Sequence, residues 1–230
     1  MAFNFFAGPE IFYMKRTKQG GTTQSGRVDG FRVGIERYKR YGWYLGADYF
    51  IAQGRVQGRN SKKMSLKSTL RDHIVEGRLG FTLQKSGSLA AFTPFIGYGY
   101  FRETNAFYHP SPTAYTFVDS FNYVVTGFFA SRNFSPLLSM GLNLKIDFML
   151  EGNSKIKNDP LYGCTKLKMD RALQARVEIP VYITLTSCAL AEFTPFYEHR
   201  RFGGREGHPF DFLDTQFQLV GMRFALSYNF

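Results

Sequence analysis

At 230 residues the chain has room for one large domain, and 17% of it is aromatic, with 25 Phe and 14 Tyr against a single Trp. No apolar run is long enough to cross a bilayer as a helix, but barrel strands need only about 9–11 tilted residues with one apolar face. The formal net charge of +11 invites an anionic partner, while two cysteines, Cys164 and Cys188, are too few for a disulfide scaffold and join no metal-type cluster.

The opening "MAFNFFAGPE" has no basic start, apolar core or small-residue cleavage site, and reads as an exported chain whose signal peptide has been removed. Helical periodicity is nearly absent, whereas period-2 alternation recurs from end to end. It predicts ten strands, at 3–15, 27–38, 42–55, 67–83, 89–103, 115–130, 137–151, 167–184, 189–202 and 213–230. The clearest is "LLSMGLNLKIDFML", with Leu138, Met140, Leu142, Leu144, Ile146, Phe148 and Leu150 on one face. Connections alternate between short ("RYG", "KSGS", "RNFSP", the turn near Thr186) and long and polar ("RTKQGGTTQSG", "QGRNSKKMS", "ETNAFYHPSPTA", "GNSKIKNDPLYGCT", "GGREGHPF"). Two hairpins about a hundred residues apart, each ending in "FTPF", form a faint internal repeat.

Alternation alone does not say which face is wet. The apolar face, including Phe31, Trp43, Tyr49, Ile96, Tyr197 and, on the sixth strand, Phe121, Tyr123, Val125 and Phe129, would overfill the interior of a ten-stranded soluble barrel. The other face mixes Gly34, Gly46, Gly80, Gly97, Gly99, Gly141 and Gly221 with Glu10, Arg32, Glu36, Asp48, Glu76, Arg78, Lys145, Asp147, Arg176, Glu178, Glu192, Glu198, Arg200 and Arg223. Glycine weakens a solvent-facing strand but suits a confined lumen, where small residues make room for large partners. The apolar face is therefore assigned to lipid and the charged face to a lumen of mutually paired groups. Pro94, Pro180 and Pro195 interrupt three of the strands and are expected at bulges near a rim.

The last strand, "LVGMRFALSYNF", ends on Phe230 with Phe224, Leu226 and Tyr228 on alternate positions. In this it resembles the Gram-negative outer-membrane β-barrel superfamily, where a C-terminal aromatic of this kind is the signal read by the barrel-assembly machinery. The resemblance implies one domain over 1–230, a ten-stranded antiparallel up-and-down transmembrane barrel in the outer membrane with both termini on the periplasmic side. Tyr228 and Phe230 would carry the assembly signal. The ten-stranded types are omptin proteases and opacity-type adhesins, and neither matches in extended sequence.

No catalytic constellation stands out. Omptin-like chemistry would need an Asp pair opposite Asp-x-His, and here Asp72 and His73 are adjacent and face opposite ways. His199, His208, Asp211 and Asp214 near the last long connection could build an acid–base pair, and "HPS" at 109–111 echoes a deacylase His-x-Ser without a third partner. Basic residues Lys15, Arg16, Lys18, Arg59, Lys62, Lys63, Lys155 and Lys157 concentrate at the long-connection end, where lipopolysaccharide or anionic host glycans would be met. Aromatics do not interleave with these clusters, which argues against nucleic acid. Cys164 and Cys188 lie at opposite ends of the eighth strand, too far apart for an intrachain disulfide. The leading expectation is a non-enzymatic, cofactor-free surface barrel, structural or a narrow porin-like channel. A polyanion-binding adhesin and an outer-membrane hydrolase are the alternatives.

Overall fold

Inward and outward side chains alternate along every strand, so each strand can close its backbone hydrogen bonds only against two neighbours, and a closed ring satisfies all of them. A computed structural model shows that ring and describes residues 2–38, 41–85, 87–112, 114–159, 163–204 and 214–230. The strands are β1 (Ala2–Lys18), β2 (Thr22–Tyr38), β3 (Gly42–Arg59), β4 (Ser65–Thr82), β5 (Ala90–Tyr108), β6 (Thr116–Asn133), β7 (Leu138–Asp159), β8 (Gly163–Glu178), β9 (Val181–Thr184), β10 (Ala189–Gly204) and β11 (Thr215–Asn229). From β1 to β8 consecutive strands pair antiparallel, β9 pairs with β7 and β10, β10 pairs with β8 and β11, and β11 returns to β1 with Glu10 opposite Arg223 and Phe5 opposite Tyr228. Phe3 and Phe230 exchange backbone hydrogen bonds at 3.0 and 2.9 Å, which ties the two termini together at one end.

The eighth predicted strand is divided. Pro180 has no N–H to give the ladder, so β8 stops at Glu178 and β9 resumes at Val181; the Pro180 carbonyl still accepts from Gly141 N at 2.8 Å. β8 and β9 together fill one position, and the closed sheet is ten strands round. Pro94 and Pro195 stay inside β5 and β10, pointing outward, while Thr93, Phe95, Thr194 and Phe196 beside them are buried inside the barrel. The two "TPF" segments thus take the same stance.

The first long connection is mostly strand. Gly20 and Gly21, at φ 96° and 89°, turn the chain tightly between β1 and β2, and the hairpin ladder runs up to Lys18 opposite Thr22. On the outer wall, Phe5 and Tyr13 of β1, Leu45, Tyr49 and Ile51 of β3, and Val220, Phe224 and Leu226 of β11 are exposed, forming an apolar band. Beyond it the wall becomes polar at Lys15, Arg27, Arg55, Arg71, Arg102 and Gln218. Aromatics mark both edges, with Trp43 packed edge-on against Phe81 at the terminal end and Tyr13, Tyr49, Tyr100 and Tyr197 at the other. The strands therefore outrun the band and carry the barrel past it.

The sixth strand faces the other way from the expectation. Phe121, Tyr123 and Val125 are buried in the interior, and Phe129 packs there against Phe95 at 4.9 Å between centroids. Their inward stance follows from their partners: Phe121 stacks on Phe101 at 4.7 Å, and the Tyr123 hydroxyl donates to Glu76 at 2.8 Å. The Tyr123 ring occupies the space a Cβ on Gly99 would fill, so that glycine is what admits it.

Candidate functional site

The interior is the site, and its layers follow from the order of inward residues on each strand. On β1 these run Phe6, Glu10, Phe12, Met14, Arg16 and Lys18; on β11 they run from Ala225 and Arg223 to Leu219 and Phe217. Charge sits in the middle and apolar bulk beyond it.

Every residue of the anticipated lumen set lies inside, joined into one chain of ion pairs. Arg223 binds Glu192 at 2.6 Å and reaches Glu178 at 3.6 Å; Arg176 binds Glu178 at 2.7 Å, Glu10 at 2.9 Å and Glu198 at 3.0 Å. From Glu10 the path runs through Arg32 at 3.1 Å to Asp48 at 2.5 Å, then to Arg78 at 2.6 Å. Arg78 leads to Glu36 at 3.6 Å and Glu76 at 3.5 Å, and Lys145 joins Glu76 at 2.7 Å to Asp147 at 3.9 Å. Arg200 pairs with Glu198 and, at 2.7 Å, with Asp72. Asp72 was missed as a lumen residue because it was weighed only as half of an Asp–His pair; its inward stance could have been read from the even parity it shares with Glu76 and Arg78. Such groups are tolerated when buried only because each meets an opposite charge within 4 Å. Aromatic faces bind the layer to its surroundings, with the Arg176 guanidinium 3.8 Å above Phe196 and Arg32 4.6 Å above Phe50.

Past this layer the interior is packed with Phe12, Met14, Val28, Phe50, Leu70, Phe101, Phe121, Met169, Phe202, Phe217 and Leu219, all at most 3% exposed. Phe202 lies 4.8 Å from Phe217 and 6.2 Å from Phe101 and Phe121. On the terminal side of the charges there is instead a vestibule of about 380 Å³, rimmed by Gln84, Asn133 and Asn229 and floored by Arg32, Arg78 and Arg176.

A second polar group lies in the part of the barrel beyond the band. Glu103 faces inward between Asp72 on β4 and Asp119 on β6, with Arg16 at 3.5 Å. Its outward neighbours Arg102 and Thr104 place it outside the apolar wall. Burial pushes the Glu103 carboxyl up to about 8 against the pull of Arg16, with Asp72 and Asp119 adding to the rise; burial and Arg16 lower Lys18 to about 7. A raised folded pKa favours the fold most below the unfolded value and loses that contribution as pH climbs. Glu103 should therefore cost the wild-type protein stability progressively from pH 4.5 to about 8. Lys18 acts oppositely, losing stability as pH falls from 10.5 to about 7. Glu103→Gln and its parent are compared by urea unfolding in detergent in a shared Lys18→Met background, because Glu103 itself acts on Lys18. The variant is expected to match its parent near pH 4 and exceed it near pH 8, and identical profiles at both ends would remove the buried-carboxyl account.

The anticipated basic set divides. Lys15, Arg59, Lys62, Lys63, Lys155 and Lys157 are exposed, but Arg16 is 2% exposed, lies over the Phe217 ring at 5.1 Å and turns inward. Lys18 likewise turns to Phe117, 4.8 Å away. Even positions on β1 face the interior, so neither can join an outer polyanion surface. Among the described residues the hydrolase groups do not converge: His73 is bonded to the Tyr49 hydroxyl on the outer wall, and Ser111 is held by the Lys67 backbone at 2.8 Å. Asp214 pairs with Arg201 at 2.5 Å, His199 faces outward, and His208 and Asp211 lie outside the described residues. Cys164 and Cys188 are free thiols.

No family model matches the chain, and no curated protein matches it. Solved structures do. Outer membrane protease OmpT from Escherichia coli superposes with a TM-score of 0.64 at 10% identity, covering 100% of this chain and 97% of that one. The fold is that of an outer-membrane β-barrel. The barrel is also similar to the transport unit of the autotransporter AIDA-I from Escherichia coli (TM-score 0.53, 9% identity, 96% and 89% covered). The translocator domain of the autotransporter NalP from Neisseria meningitidis gives 0.51 at 12%, with 100% and 89% covered. At such identities the likeness is one of fold.

Proposed function

We propose that this is an integral protein of a Gram-negative outer membrane, spanning it as a sealed, non-enzymatic barrel whose projecting end, with the β1–β2 and β3–β4 turns, stands at the cell surface. Of the structural and porin-like readings, the sealed structural one is favoured. The observation that carries it is the interior: an ion-pair layer and an aromatic plug lie in series along the barrel axis, each made of side chains with almost no accessible surface. The same filling argues against the passage of a polypeptide, as in a translocator. On this reading Phe230, 62% exposed and stacked on Phe3, remains available to the assembly machinery. In planar bilayers the purified barrel is expected to give no conductance steps at several hundred millivolts; regular steps would overturn the sealed reading.

A polyanion-binding role draws on a separate observation. Lys155 of β7 stands directly opposite Lys166 of β8, with Lys168 opposite Asn153 and Lys157 beyond, all exposed. Like charges so placed repel unless an anion lies between them. Retention on heparin at physiological salt is expected, weakened by Lys155→Glu/Lys157→Glu; retention unchanged by that double substitution would exclude this surface.

A further inference from the structure

The vestibule at the terminal end carries chemistry that the ion-pair layer beneath it does not use. β9 keeps the parity of β8 across Pro180, so Glu178, Pro180 and Tyr182 all line the interior. Tyr182 lies directly opposite Ser139 on β7 and Glu192 on β10, and Ser139 lies opposite Asn133 on β6. The register therefore sets an amide, two hydroxyls and a carboxylate side by side on four strands. Directly opposed residues are about 5 Å apart, which makes the arc roughly 15 Å long. The side chains of Asn133, Ser139 and Tyr182 have no hydrogen-bond partner among the described residues, and their polar atoms are not shut in by protein. Oε1 of Glu192 is held by Arg223 and by the Thr194 hydroxyl, each at 2.6 Å, which leaves Oε2 to accept from something else.

The composition of the lining says what such an arc would hold. Cationic and anionic side chains are equal in number there, and all belong to the ion-pair layer, where they neutralise one another. A charged solute would give up its water and meet no unmatched counter-ion. A neutral solute rich in hydroxyls gives up less, because amides and hydroxyls both donate to it and accept from it, and a carboxylate accepts. Apolar surface lies beside the arc: Phe129 faces inward and is half-buried, with its open part turned to the vestibule, and the Pro180 ring lines the wall next to Gly141. The C–H faces of a pyranose pack on surfaces of this kind. At about 380 Å³ the vestibule is also within the usual range for small ligands, about 300–1,000 Å³.

From this arc we infer a carbohydrate seat: a neutral oligosaccharide of hexose or N-acetylhexosamine units enters end-on and lies along Asn133, Ser139, Tyr182 and Glu192, with its C–H faces against Phe129 and Pro180. The seat itself does not depend on which way the barrel stands in the membrane; the source of the sugar does. On the proposed placement the vestibule opens beneath the outer membrane, where a free oligosaccharide and the end of a cell-wall glycan strand share the chemistry that the arc recognises.

Saturation-transfer NMR titrations of the full chain, in a detergent without a sugar head group, test the seat. Cellotriose and N-acetylated chitotriose are the probes, and trigalacturonate is the charged control. Wild type is expected to bind at least one neutral trisaccharide and to prefer it to the control. Asn133→Ala/Tyr182→Phe should weaken that binding at least ~10-fold, the loss of two neutral hydrogen bonds. Ser139→Leu, which puts bulk at the middle of the arc and touches no charge, should weaken it as well. Heat-modifiable migration on gels checks that each variant is folded. No binding of either neutral probe, undiminished binding by the double variant or by Ser139→Leu, or equal binding of trigalacturonate would each overturn the seat. Retention of wild type on isolated cell-wall sacculi, displaced by the bound trisaccharide, assigns the glycan strand as the source; trisaccharide binding without retention assigns the free oligosaccharide. Conductance steps from a barrel that binds the trisaccharide would remove the sealed reading and leave the seat, whereas a silent barrel that binds no sugar removes the seat alone.

Discussion

Replacing Arg176 with methionine is expected to cost about 3–5 kcal/mol of stability, the range for removing one partner of a buried ion pair. The side chain is buried, and its guanidinium is the only group shared by Glu10, Glu178 and Glu198, at 2.7 to 3.0 Å, among the described residues. Methionine keeps much of the volume, so the loss is electrostatic: three carboxylates in a water-poor interior lose a common counter-ion. Lysine keeps the charge but neither the fork that reaches three acceptors nor the face that lies on Phe196. Arg176→Lys should therefore fall between wild type and Arg176→Met. Adding Glu10→Gln and Glu198→Gln to the methionine variant should recover a large part of the loss, because neutral amides need no cation; strong non-additivity is the signature of groups in contact. Urea unfolding in detergent gives all four values. A cost below about 1 kcal/mol for Arg176→Met would be that of a hydrated pair. That would mean a water-filled lumen, against the sealed barrel proposed above.

This part of the interior was legible in the sequence. Charges and glycines falling on one parity of strands otherwise rich in aromatics leave few arrangements except a crowded, paired lumen, and strand number follows from counting alternating runs. Harder to read was how far each strand continues. The segment from Arg16 to Gly26 has the composition of a loop, yet a glycine pair turns it in three residues and the ladder claims the rest. Composition reports solvation, and a strand projecting beyond the membrane is solvated on its outer face. Arg16 and Lys18 were misread for the same reason. Seen as loop residues they have no facing; seen as strand residues they continue the parity of Glu10 and Phe12.

The sixth strand exposes the deeper limit, and its sidedness can be measured. Choosing the lipid face by apolarity assumes that only one face is apolar. That holds for most of β7 but not for β6, where Phe121, Tyr123 and Val125 oppose Val124, Thr126 and Phe128. The polar markers on β6 point both ways, with Asp119 and Gly127 on odd positions and Ser120, Asn122 and Thr126 on even ones, so the four large apolar residues decided the reading. Phe121→Ala is expected to cost about 3–5 kcal/mol, because its ring is packed against Phe101, Phe202 and Tyr123 and the space it leaves has no solvent to fill it. Val124→Ala, on the lipid side, should cost less than about 1 kcal/mol, since the methyls it loses are only partly removed from the surrounding apolar medium. Sidedness itself is read by cysteine substitution in a chain lacking Cys164 and Cys188: a membrane-soluble maleimide should modify Val124→Cys rapidly and leave Val125→Cys untouched in the folded barrel. The reverse pattern would turn the aromatic edge of β6 out to lipid, empty much of the plug around Phe202, and reopen the route through the barrel that these side chains are argued to close.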